Sequence, residues 1–296
     1  MRFVLLLVVS LLVRPAHAGN AVGAFAPYED ILEVLGPLTW HLNDDLYRFP
    51  APRDPTGHEL FQLSLARLEG WDTRFPSSFR DVTAFGRAEA LERISEYQKA
   101  TDAYRQVAQT PASPLADAAK RHADRTAAFA AAAALPEGGS DLETRLKALR
   151  KKLDAFGALV AQHAGTPYQA LALVEEERLE GLTSSLVVEH RHLLEKGDET
   201  AERALRFLIQ KHAESKNLAN HILRLGDFYA DLAREYADTN SRPLAFKEEA
   251  FIARADRALD VYRKVATWDG APEKPDGQGR FASLEAYKTN VLARHR

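Results

Sequence analysis

Apolar residues recur every three or four positions along nearly the whole chain from Gly57 onward, and no stretch alternates β-branched with polar residues as a half-buried strand would. The spacing predicts helices over 58–71, over 79–109 as two segments split near Ser95, and over 115–135, 142–163, 168–195, 200–212, 217–237, 244–268 and 281–294. A shorter amphipathic helix is expected around Tyr28 to Leu35, and Gly181 is a candidate break inside the 168–195 segment. Breaker residues separate the elements: Phe49 to Pro55, Phe75 to Ser78, Thr110 to Pro114, Gly165 to Pro167, Thr239 to Pro243 and the run Ala271 to Gly279 read as loops. Proline lacks the N–H that continues a helix, and glycine costs backbone entropy inside one. Pro136-Glu137-Gly138-Gly139-Ser140 is the sharpest of these breaks. It marks a boundary between a first helical region, 57–136, and a second, 140–296, with the segment 19–56 preceding both. Ser140 or Asp141 is suited to accept the orphan N–H groups of the helix that follows.

One helix pattern occurs twice. Lys99 to Ala108 and Arg257 to Ala266 both read basic-Ala-x-Asp-x-Tyr-Arg-x-Val-Ala, with Ala100, Tyr104 and Val107 matched by Ala258, Tyr262 and Val265 at i, i+4 and i+7. Alanine at the closest approach lets two helices pack about 8–10 Å apart, while the tyrosine and valine fill the groove beside it. Tyr97 precedes the first copy at its turn, and Leu225-Gly226-x-x-Tyr229 supplies a small residue for close contact ahead of the second. Three connectors, Pro76-Ser77-Ser78, Pro111-Ala112-Ser113 and Ala213-Glu214-Ser215, join successive helices. In these residues the chain resembles tetratricopeptide-repeat (TPR) proteins of exported bacterial type, similar to the outer-membrane-assembly and Tol-associated periplasmic members. The resemblance covers about half the chain, near 75–125 and 197–270. Ser95 stands where the family uses glycine, and the repeat spacing is irregular. It implies an all-α, TPR-like helical-hairpin solenoid; an irregular all-α bundle is the alternative.

Composition narrows the function classes. Hydrophobic residues are 46% and charged residues 27% of 296, as in an ordinary globular chain, and a net charge of −3 offers no basic footprint for nucleic acid. Arg2, the apolar run Phe3 to Val13 and Ala16-His17-Ala18 have the form of a secretory signal peptide cleaved after Ala18, with Arg14 and Pro15 ending the run short of a membrane span. Losing residues 1–18 removes two of 39 basic residues and none of 42 acidic ones, so the mature chain would carry a net charge of −5. No second apolar span follows, and the periplasm is the expected destination. Cysteine is absent, which excludes disulfides, thiolate metal sites, a cysteine nucleophile and bacterial lipidation.

Candidate chemistry is sparse. On a continuous helix His192 and Glu195 share a face and could hold a metal, whereas His190 lies about 200° from His192 and cannot join them. No second helix carries a matching Glu-x-x-His element of the kind di-iron bundles use. A metal-binding or hydrolytic helical bundle using His192 and Glu195 is the alternative reading of function. Glu175, Glu176, Glu177 and Glu180 are expected to form a solvated acidic face, and Arg145, Lys147, Arg150, Lys151 and Lys152 a basic one. Neither a nucleophile elbow nor a phosphate loop is present. The expectation is therefore a non-enzymatic scaffold or adaptor of the cell envelope that needs no cofactor. It would bind a protein or peptide partner in a concave groove, near Arg224, Asp227 and Phe228, while Tyr97, Ala100, Tyr104, Val107, Leu225, Gly226, Tyr229, Ala258, Tyr262 and Val265 serve the repeat structurally.

Overall fold

The computed structural model describes residues 26–49, 54, 57–110, 112–242 and 245–295; residues 1–18, expected to form a signal peptide, and most of the 50–56 loop lie outside the described residues. Among those described, every regular element is helical. The α-helices are α1 (Ala26–His41), α2 (Glu59–Arg74), α3 (Arg80–Arg93), α4 (Tyr97–Ala108), α5 (Ala116–Ala133), α6 (Leu142–Gln162), α7 (Pro167–Glu189), α8 (Gly197–Lys211), α9 (Leu218–Thr239), α10 (Glu248–Ala266) and α11 (Lys274–His295), with a 3₁₀ turn at Arg191–Leu193. Helices adjacent in sequence pack on each other, α1 through α6 in one series and α8 through α11 in another, as short connections between amphipathic helices require.

The chain divides into two compact units, one ending at Glu176 and the other beginning at Glu177, so α7 runs through the division. The Pro136–Ser140 break is a hairpin connection inside the first unit. Asp141 caps α6 by accepting the Thr144 N–H at 2.8 Å. Lys152 on α6 reaches back to donate to the Ala133 carbonyl at 2.6 Å and to pair with Glu137 at 2.8 Å. Lys152 is thereby buried and leaves the basic face, whereas Lys147 and Arg150 form exposed i,i+4 pairs with Glu143 and Asp154.

Within the first unit, Phe85 and Ala88 of α3, Ala100, Tyr104 and Val107 of α4, and Ala119 and Ala123 of α5 form one apolar cluster. Within the second, Ala233 and Ala237 of α9, Phe251 and Ala255 of α10 and Val291 of α11 form another. Gly226 permits the closest approach there: a Cβ on it would stand 2.5 Å from the Tyr262 ring. The predicted split near Ser95 is present, and Ser95 turns the chain with φ +63°, a left-handed conformation that ends a helix. The three connectors share one turn: Ser78, Ser113 and Ser215 donate backbone N–H groups to Phe75, Thr110 and His212 at 3.0–3.1 Å. The Ser113 and Ser215 hydroxyls also accept from the N–H two residues on, at 3.1 and 3.0 Å.

Several elements differ from the sequence reading. The first helix extends to His41, well past Leu35. α7 passes Gly181 unbroken, since one glycine inside a long helix costs only about 1 kcal/mol, and Arg224 donates to the Gly181 carbonyl and to Ser184 beside it. The Ala271–Gly279 run is a loop only as far as Glu273, since α11 starts at Lys274. Proline is tolerated in a first helical turn, and Gly277 is needed there because a Cβ would meet the Ala266 backbone nitrogen at 2.8 Å.

Candidate partner-binding site

The His190–Lys196 segment sets the position of α8. Arg191, buried in the 3₁₀ turn, donates to Asp198 at 3.0 Å, to the Val188 carbonyl at 3.3 Å and to Glu235 of α9. A Cβ on Gly197 would fall 1.7 Å from the Arg191 carbonyl oxygen, so only glycine lets α8 begin against this turn. His192 and Glu195 are both exposed in the turn region after α7 has ended at Glu189. The helical face that would join them is not formed, which removes the geometric premise of a metal site. No group of three His, Asp or Glu side chains arranged for a metal occurs among the described residues.

α8 turns Ala201, Leu205 and Leu208 inward, all buried. Its outer side borders a groove of about 410 Å³ lined by Glu199, Glu202, Arg203, Arg206, Phe207 and Gln210. Phe207 is 54% exposed, and the Lys211 ammonium stands 5.7 Å from its ring centre. Glu202 is held from several sides: Tyr229 donates to it at 2.7 Å, Arg206 at 2.8 Å and Arg257 at 2.9 and 3.0 Å. Burial alone would raise its carboxyl, but these donors outweigh that and hold it below the usual carboxylate range. Arg257 also lies 4.2 Å above the Tyr229 ring, so this side of the groove is rigidly braced.

The residues expected to line a groove are not among those that line this one. Phe228 is 2% exposed and belongs to the core. Arg224 is occupied with the Gly181 carbonyl at 2.9 Å and the Ser184 hydroxyl at 3.2 Å, and burial lowers its pKa. Asp227 accepts from Tyr262 at 2.7 Å and from Arg280. These contacts make Arg224 and Phe228 internal braces of the second unit. Tyr97, Ala100, Tyr104, Val107, Leu225, Tyr229, Ala258, Tyr262 and Val265 are all buried.

Sequence reasoning missed two buried polar clusters. The acidic run is not a solvated face: Glu175, Glu176, Glu177 and Glu180 are all buried. Glu177 accepts from His221 at 2.6 Å and from Asn217 at 3.2 Å; Glu180 accepts from His212 at 3.1 Å and from Lys211. Burial pushes both carboxyls up, yet the donors prevail and both sit below their ordinary value. In the first unit Glu92 accepts from Thr126 at 2.7 Å, Tyr104 at 3.2 Å and Arg125 at 3.3 Å. Burial and the neighbouring Glu92 charge raise Glu89 to about 8, while burial and Arg125 lower His122 to about 3. A neutral His122 then accepts from Arg125 through Nδ1 at 2.9 Å. The available signal for the acidic run was the apolar company of α7: Leu171, Ala172 and Leu179 surround those glutamates on several sides of one helix.

The fold and the groove together define a class, a helical-hairpin protein with a braced surface groove. Compared with protein-family models and with curated proteins, the chain matches none. No helix among the described residues is long and apolar enough to cross a membrane.

Proposed function

We propose that this protein is a TPR-like adaptor of the bacterial envelope that holds a segment of a partner protein against the outer face of α8. The observation that carries the reading is Phe207, an aromatic ring 54% exposed in a groove of about 410 Å³. Covering such a ring stabilises a complex by roughly 1.5–3 kcal/mol for full burial, and a groove of this size lies within the range of ligand clefts. Because α8 is pinned by Arg191, Gly197 and the Glu202 brace, little ordering entropy is lost on binding. Recognition of this kind requires no cofactor and no catalytic group. The envelope location rests on Arg2, the Phe3–Val13 run and Ala16-His17-Ala18, which have the form of an export signal.

A photo-crosslinking amino acid substituted for Phe207, in the full chain expressed in its native host, tests the reading. Leu63 on α2 is the matched control, being 53% exposed. A discrete adduct at 207, mapped to one segment of one protein and missing at 63, is the expected result. Equal adducts at both positions, or none at 207, would overturn the adaptor reading.

A further inference from the structure

We draw no further inference here: the strongest candidate, the surface patch on the outer faces of α1 and α2 where Leu32, Trp40 and Leu63 stand exposed, carries nothing because nothing in the structure shows what covers it.

Discussion

Tyr104 in the first unit and Tyr262 in the second occupy the same place in the repeated helix pattern, and each donates its hydroxyl to a carboxylate on the preceding helix. The carboxylates live in different worlds. The Glu92 side chain is 4% exposed, with Thr126 and Arg125 of α5 also donating to it. The Asp227 side chain is 43% exposed and shared with Arg280 of α11. One helix motif thus supports a sealed polar centre in one unit and an open surface pair in the other. The difference comes from the third helix: α5 covers its acid, and α11 leaves its acid in water.

That contrast predicts the largest mutational difference in the molecule. Glu92→Gln removes a charge from a buried pair and turns one acceptor into a donor among groups that already donate. The loss should be about 3 kcal/mol or more, as for breaking a buried ion pair from one side. Asp227→Asn weakens an exposed pair and should cost under about 1 kcal/mol. Hydrogen exchange resolved by peptide separates the two, with protection lost over α3–α5 in the first variant and nearly unchanged over α9–α11 in the second. Similar losses in both would mean that the burial of Glu92 does not govern the energetics.

A smaller effect appears with pH, and the units should part company there. Glu89 has a folded value of about 8 against an ordinary 4.5. Its folded form holds the proton more tightly, so it subtracts stability progressively as pH rises from 4.5 to 8. His122 has a folded value of about 3 against 6.5, so its contribution is present above 6.5 and is lost as pH falls toward 3. Between 4.5 and 6.5 the two slopes oppose each other. From 6.5 to 8 Glu89 acts alone, and protection over α3–α5 should decline. In the second unit Glu177 and Glu180 are held low, so their stability is present above 4.5 and is lost only as pH falls through their folded values. Protection over α8–α10 should therefore respond to acid. Exchange corrected for the intrinsic pH dependence of the amide rate measures both limbs, and Glu89→Gln should flatten the alkaline limb of the first unit. A decline that survives this substitution would assign it to another group.

The repeat was legible in the sequence because helical spacing encodes burial directly: Ala100, Tyr104 and Val107 fall on one stripe whatever covers them. Ser95 and the three serine connectors were legible for a related reason, since turns are local. Burial of acids was not legible, because it depends on donors from distant helices. His212 and His221 lie more than thirty residues from the glutamates they meet. The start of α11 was hidden behind Pro275 and Gly277, whose loop-like chemistry is also what a first helical turn and a close helix contact require. Nothing in the spacing singled out Phe207. Its exposure follows only once Ala201, Leu205 and Leu208 are known to be the inward stripe.

The smallest expected effect concerns a feature the two copies share most closely. Asp102 pairs with Arg105 at 3.5 Å, and Asp260 with Arg263 at 2.6 Å, each three residues apart on the same helix. Recurrence in both copies would tempt one to assign these pairs a large structural role. All four side chains are more than half exposed, however, and exposed pairs on one helix contribute about 0.3–0.5 kcal/mol. Arg105→Ala and Arg263→Ala should each shift stability by less than about 0.5 kcal/mol, within the range of ordinary surface changes. Adding salt should erase even that. A loss above about 1.5 kcal/mol at either arginine, measured by denaturant unfolding of the full chain, would exceed what an exposed pair can supply. It would show that the repeated Asp-x-Tyr-Arg element is held by a contact beyond the pair itself.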